Sequence, residues 1–334
     1  MNPPKHVKLV QRWLARCAIG AALVLPLGLA TPVADAQARW VVKLGTAAFA
    51  QAPIAELLAK LGVVLETEHP GRFLVKQLVD GALTRERAGL ARVATGEAHG
   101  YAATFDELVA ALPDAAALNA PFAFDNERDA DAVLRTTGGA AIGDALATLG
   151  LRLVTIAPCE ARVLFSRTRA LQKPADASGL SVARGANPAY AGLAGALSMT
   201  QIDAGQKADV RDATLTQLAA EGTLLDGGHL TLTDHALECG VLVVSQRWID
   251  GLPEQMQKTL SKLSRELDGS EATKAQRAAR AAILERAKAA GIEITTLSAK
   301  ERQAFVAATR EARTQLNGEP GSLARKLALA AQAK

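Results

Sequence analysis

The chain has 334 residues, enough to bury a large core and to form two lobes. Aromatic residues make up only 4% of it while hydrophobic residues reach 49%, so the core must be mostly aliphatic and compatible with helices. Formal charge is +4, but Lys5, Lys8, Arg12 and Arg16 against Asp35 give residues 1–38 a balance of +3; the remainder stands near +1, which excludes the nucleic-acid surface that the high pI would suggest.

Residues 1–38 read as an export signal. A basic segment, KHVKLVQRWLAR, precedes the apolar run CAIGAALVLPLGLA, which is short for a bilayer span and is interrupted by Pro26. Small-residue A-x-A sites follow at Ala34–Ala36 and Ala36–Ala38. A retained membrane anchor is the competing reading. Cys17 stands at the start of the apolar run rather than after it, which argues against a lipid anchor. The expected product is an exported, periplasmic chain starting near Arg39.

From Arg39, RWVVKLGTA reads as a strand. APIAELLAKLGVVLE carries helical spacing at Ile54, Leu57, Leu58 and Leu61. Pro70 and Gly71 punctuate, and RFLVKQLV follows as a second strand. TRERAGLARVATGE is an amphipathic helix, HGYAAT a short strand, and Leu108–Leu112 a helical turn ended by Pro113. DNERDADAVL opens a helix with Asp125 as expected N-cap. Gly138 and Gly139 should break that helix, after which IGDALATLG leads to the strand LRLVTIA. Strands alternating with helices predict parallel pairing and a doubly wound, three-layer α/β sheet.

After Pro158 a second set begins: a strand at ARVLFS, a turn at KPADASG, a strand at LSVA and a helix at NPAYAGLAGAL. ATLTQLAAEG predicts a helix, LLDGG the end of a short strand, and HLTLTDHALECGVLVVS long β alternation. Met256, Leu260, Leu263 and Leu267 share a helical face, and a charged, alanine-rich helix continues to Ala290. IEITTL is a strand, Ser298 and Glu301 make a capping box for a helix ending near Gly318, and SLARKLALAAQAK is a weakly amphipathic tail. The two strand sets join near Ile156 and again near Gly240, which predicts two lobes: residues 39–155 with 241–265, and residues 156–240 with 266–318, leaving 319–334 as a C-terminal tail.

Catalytic and cofactor motifs are not found. TTGGAAIGD lacks the lysine and spacing of a phosphate loop, no G-x-S-x-G elbow occurs, and His229 and His235 have no third ligand in sight. No enzyme, cofactor or metal is therefore expected. Without the signal, Cys159 and Cys239 are the remaining cysteines; they could bridge in an oxidising compartment or stay buried as thiols.

Several segments, taken in order, resemble the solute-binding proteins of TRAP transporters, the DctP-like dicarboxylate-binding family. WVVKLGTAA is similar to the family's opening strand, and RFLVKQLVDGALTRERAGLARVATGEAHGYAAT to its strand–loop–helix–strand unit. LNAPFAFDNERDADAVL, LGLRLVTIA, HLTLTDHALECGVLVVSQRWIDGLPEQMQKTL and GIEITTLS match later segments, so the likeness runs from Arg39 to about Leu316. It implies a two-lobed periplasmic binding protein fold of type II-like form, its lobes joined by hinge strands and closing on a small molecule that is passed to membrane permease subunits. Clefts outside strand ends and between lobes are suited to small ligands. The likeness also places Cys159 and Cys239 on the two hinge strands, where a disulfide would cross the hinge.

Candidate ligand residues come from the same likeness. The family's G-L-K-[IV]-R-V strand offers an arginine as a carboxylate clamp; here Gly179 to Arg184 read GLSVAR, so Ala183 stands at the clamp position and Arg184 beside it. Strand alternation should turn Arg184 away from the cleft, which favours loss of the clamp. Arg162 of ARVLFS matches a second family arginine, with an ordinary strand-end salt bridge as the alternative. Asn187 and Tyr190 stand near the cleft, where helix capping and core packing are their plainer roles. Thr46 ends the opening strand, and Asp226 belongs to a ligand segment shortened to Asp226-Gly227-Gly228. With one arginine at best, the site should favour a monocarboxylate or a neutral, apolar compound over a diacid. Arg162→Ala should then abolish acid binding and leave the fold intact. The alternative function is a degenerate binding fold serving as sensor or scaffold for a partner protein.

Overall fold

The computed structural model describes residues 39–48, 52–79, 82, 88–185, 187–203, 205–225, 227–266 and 270–332. The expected signal and Asp226 lie outside the described residues, as does Leu267.

Two sheets organise the chain from Arg39 onward. The first contains β1 (Trp40–Thr46), β2 (Phe73–Leu78), β3 (Gly100–Ala103) and β4 (Leu151–Ile156). The second contains β5 (Glu160–Ser166), β6 (Ser181–Ala183), β7 (Thr200–Ile202), β8 (Val210–Thr214), β9 (His229–Leu232), β10 (Leu237–Glu238) and β12 (Glu293–Thr296), while β11 (Val241–Ser245) returns to the first. The first sheet runs in the order β2-β1-β3-β11-β4. β1 pairs in parallel with β2 and β3, and the helix Pro53–Glu68 provides the crossover from β1 to β2 that a parallel pair needs. β11 is antiparallel to both β3 and β4, because it re-enters from the second sheet rather than through a crossover helix. Wholly parallel pairing is therefore corrected. In the second sheet, ordered β12-β9-β5-β8-β6-β7 with β10 added to β5, the central β5 is antiparallel to β8 and β9.

Packing follows the aliphatic pattern. Leu57, Leu58, Leu61 and Leu65 of the helix Pro53–Glu68 are buried with Val42 and Leu44 of β1 and with Met256, Leu260 and Leu263 of the helix Glu254–Glu266. On the second sheet, Val163, Phe165, Leu218 and Leu230 are buried with Ile283 and Ala287 of the long helix Ser270–Ala289. The charged face of that helix is left to solvent.

Local signals explain most differences from the sequence reading. Asn126, not Asp125, caps the helix Glu127–Leu134, its side chain accepting from the Asp129 amide. Gly138 and Gly139 lie inside the next helix, Thr137–Ala147, and the break falls at Arg135–Thr136. Gly139 allows the second helix to start hard against the first, since a Cβ there would lie 2.0 Å from the Leu134 carbonyl oxygen. β7 and β8 were not anticipated; Ala213 and Thr214, read as helix, finish β8, and Thr214 caps a helix that begins only at Leu215. LLDGG ends no strand: Thr223–Leu225 form a 3-10 turn. The long β alternation from His229 is cut into β9, β10 and β11. Ser298 and Glu301 form the anticipated capping box, but the helix is split into Ala299–Ala308 and Arg310–Gln315. The last segment is a docked helix, Leu323–Gln332, with Ala324, Leu327 and Ala331 buried in the core of the first sheet.

Two short connections join the sheets: residues 157–159 between β4 and β5, and residues 239–240 between β10 and β11. The Ala157 amide donates to the Gly240 carbonyl (2.8 Å). A disulfide between Cys159 and Cys239 ties the same two connections. Gly240 must be glycine here, because a Cβ would meet the Ile54 side chain at 2.5 Å.

Candidate functional site: a cleft around a buried arginine

Between the two sheets a cavity of about 200 Å³ is floored by the hinge residues Ala157, Pro158 and Gly240. Ala47, Ala48 and Phe105 border it from the first sheet, and Thr214 and Gln217 from the second. Among the described residues its ionisable lining is entirely acidic: Asp106, Glu160 and Glu238. A second cavity of about 440 Å³ opens along the second sheet and shares Asp106 and Gln217 with the first. Arg162, Arg184, Tyr190 and Asp212 border this larger space, and so do Arg167, Lys207 and Arg211.

Arg162 sits on the fully buried strand β5 and is itself only 4% exposed. Its Nε donates to Asp212 Oδ1 (2.8 Å), one terminal nitrogen to Glu238 Oε2 (2.5 Å) and the other to the Asp212 backbone carbonyl (2.5 Å). The strand pairing makes this necessary: β8 brings Asp212 opposite Leu164, and β10 brings Glu238 beside β5. A lone buried guanidinium would carry a large desolvation penalty, and the two carboxylates offset it. The Tyr190 ring covers the remaining face, its centroid 4.0 Å from Cζ. His235 extends the network, with Nε2 3.2 Å from Asp212 Oδ1 and Nδ1 2.8 Å from Thr233 Oγ1.

The two carboxylates that share Arg162 titrate in opposite directions. Burial pushes Asp212 up, but Arg162 and His235 outweigh it and hold the group well below the ordinary carboxylate range. Burial also pushes Glu238 up; there Arg162 opposes but Asp106 and Glu160 reinforce, so it ends above its ordinary value. For Tyr190, burial raises the hydroxyl well above its usual value despite the neighbouring Arg162 charge. Burial alone would lower Arg162, but Asp212, Tyr190 and Glu238 raise it well above its ordinary value and keep it cationic.

The other sequence-derived candidates fall in different places. Asn187 caps the helix Pro188–Ala196 through Oδ1, and its Nδ2 donates across the lobes to Asp106 Oδ1 (3.1 Å) and Asn119 Oδ1 (3.0 Å). Its polar atoms are thus committed within the protein. Thr46 is 2% exposed and its hydroxyl donates to the Ala102 carbonyl (2.8 Å) and accepts from the Ala48 amide (3.0 Å). It shapes the loop whose Ala47 and Ala48 border the cleft. Arg184 borders the larger cavity together with Ala183, against the expectation that it turns away: β6 ends at Ala183, so alternation no longer dictates the next residue. Tyr190 borders the same cavity, and its buried hydroxyl has no hydrogen-bond partner among the described residues.

Asp106, Glu160, Asp212 and Glu238 were missed in the sequence. Two signals were available: an aspartate in the short stretch VRDAT between Val210 and Thr214, and a glutamate beside each hinge cysteine.

The comparisons agree with this architecture. The family model for DctP, described as bacterial extracellular solute-binding protein, family 7, matches residues 44–201 and 228–317. Among curated proteins none matches the sequence. A TRAP periplasmic solute-binding protein from Ochrobactrum anthropi superposes with a TM-score of 0.79 at 18% identity, over 90% of this chain and 96% of that one. One from Ralstonia eutropha H16, solved with bound (S)-2-acetolactate, gives 0.78 at 16% identity, over 88% and 99%. One from Shewanella oneidensis with bound succinate gives 0.78 at 17%, over 89% and 99%. At these identities the structures speak for the two-lobed α/β fold, and the family match covers most of the chain. The protein belongs to the DctP family of bacterial extracellular solute-binding proteins, family 7.

Proposed function

We propose that the chain is the periplasmic solute-binding subunit of a TRAP-type secondary transporter, and that it captures a small monocarboxylate or neutral organic solute between its lobes for delivery to membrane permease subunits. Residues 1–38 serve as its export signal in this reading. The observation that carries the choice of solute is the state of Arg162, whose guanidinium is already held by Asp212 and Glu238. Ala183 stands where the family resemblance expects a clamping arginine. A diacid would bring two further negative charges beside Asp106, Glu160 and Glu238 with no uncommitted buried cation among the described residues to meet them, at a heavy desolvation cost. The persistence of both cavities favours solute capture over a scaffold role.

Thermal-shift screening of refolded, ligand-stripped protein against monocarboxylates, neutral compounds and dicarboxylates tests the proposal. A solute at about 100 times its Kd adds about 2.7 kcal/mol of stability, so a genuine ligand raises the melting temperature visibly. Stabilisation by a monocarboxylate or a neutral compound is expected. A response confined to dicarboxylates overturns the solute assignment, and silence across the panel overturns solute capture.

A further inference from the structure

The cleft segregates charge. Among the described residues the inner cavity over the hinge is lined by Asp106, Glu160 and Glu238 with no lysine or arginine, and these carboxylates come from both lobes. Asp106 receives one hydrogen bond, from Asn187. Glu160, 7% exposed, receives one, from the Thr216 amide (2.8 Å), and no cation. Glu238 shares Arg162 with Asp212, so that single guanidinium faces more than one negative charge. The outer cavity carries the opposite sign at its rim: Arg184 and Lys207 are exposed there, and neither makes an ion pair with a described residue. Asp106 and Gln217 border both spaces, so the two adjoin at these residues. Beside this junction the Tyr190 hydroxyl is buried, borders the outer cavity and lacks a partner.

We propose that the solute is a zwitterion, its ammonium end seated among Asp106, Glu160 and Glu238 and its carboxylate turned towards Arg184 and Lys207, with the Tyr190 hydroxyl hydrogen-bonding the bound molecule. The proposal rests on the solute-capture reading and deepens it: a zwitterion is at once neutral overall and a monocarboxylate. An ammonium supplies the positive charge that the inner carboxylates lack, and charge-assisted hydrogen bonds to them are the strong kind. A simple carboxylate satisfies only the rim, where solvent screens the attraction. A simple amine satisfies only the inner end.

Calorimetric titration of ligand-stripped protein separates these cases. The probes are glycine, β-alanine and 4-aminobutyrate, each beside its matched acid lacking the amine and its matched amine lacking the acid, with succinate as the diacid. The expected result is that at least one zwitterion binds about tenfold or more tighter than both of its single-charge counterparts, equivalent to one good charged contact. Glu160→Gln keeps an oxygen for the Thr216 amide, so its melting temperature checks that the fold survives; it should erase the advantage of the zwitterion over the matched acid by weakening the zwitterion about tenfold or more. If a matched acid or amine binds as tightly as every zwitterion, or Glu160→Gln changes nothing, the zwitterion assignment is overturned while solute capture stands. If succinate binds best, the zwitterion and the monocarboxylate readings both fall. If nothing in any class binds, solute capture falls and the zwitterion with it.

Discussion

Asp212 Oδ1 accepts from Arg162 Nε at 2.8 Å, with only 8% and 5% of the two side chains exposed, and the Asp212 backbone carbonyl accepts a second bond from the same guanidinium. The pair joins adjacent strands β8 and β5 at the inner wall of the cleft. Removing one member of a buried pair leaves the other uncompensated, which costs about 3–5 kcal/mol. Asp212→Ala should lower the unfolding free energy by about that amount in urea titration. Arg162→Ala should do the same or worse, because it strands both Asp212 and Glu238. This replaces the expectation that Arg162→Ala would spare the fold. A loss under about 1 kcal/mol for both variants would mean the network carries no such weight.

Acid titration should resolve the two carboxylates by sign. The folded pKa of Asp212 lies below its unfolded value, so its stabilising contribution is whole above the ordinary aspartate range and is lost as pH falls beneath it, where the unfolded chain takes the proton first. Glu238 is raised on folding, so its ionised form costs stability above the ordinary glutamate range and that cost fades as pH falls towards it. The gap in unfolding free energy between the wild type and Asp212→Asn should therefore shrink from about pH 4 to about pH 2, while the wild type gains on Glu238→Gln as pH falls towards the ordinary glutamate value of about 4.3. Denaturant midpoints measured across this range check both slopes.

The Cys159–Cys239 disulfide closes a sequence separation of 80 residues, and both cysteines are buried at the hinge. In the chain-entropy picture such a closure stabilises by about 4–5 kcal/mol. Protein lacking residues 1–38, denatured without reductant, should show no free thiol; two reactive thiols would contradict the bridge. Reduction, or Cys159→Ser with Cys239→Ser, should lower the melting temperature by many degrees in calorimetry.

Asn187 ties the second lobe to the first through Asp106 and Asn119 while capping its own helix. Asn187→Ala removes the cap, worth about 1 kcal/mol, and leaves the fully buried Asn119 oxygen short of a donor, worth about 1–3 kcal/mol. Asn187→Asp keeps the cap but sets a carboxylate against Asp106, so its defect should be large at neutral pH and ease as the solution becomes acidic. Melting curves of both variants at two pH values test this, and equal defects for Asn187→Asp at both would refute it.

The architecture was legible where periodicity is strong. Leu57, Leu58 and Leu61 announced their helix, the valines of β1 and β11 their strands, and Ser298 with Glu301 a cap that the structure contains. The short strands β7 and β8 were illegible because VRDAT alternates too briefly, and its aspartate, read alone, speaks for solvent rather than burial. The same aspartate is the chief partner of Arg162, so the missed strand and the missed half of the site are one omission. Arg162 itself was found through a family likeness, but its engagement depends on β8 and β10 arriving from 50 and 76 residues away, which no local pattern encodes. Arg184 shows the reverse case: alternation was applied one residue past the end of its strand.

A crystal structure of the protein loaded with its solute, reading the partners of the Arg162 guanidinium, bears most directly on the claim that this cleft does not clamp a diacid. Arg162 should still be bound to Asp212 and Glu238, with a monocarboxylate or neutral solute held by the surrounding cleft. A diacid gripped by Arg162, with either acidic partner displaced, would contradict that claim.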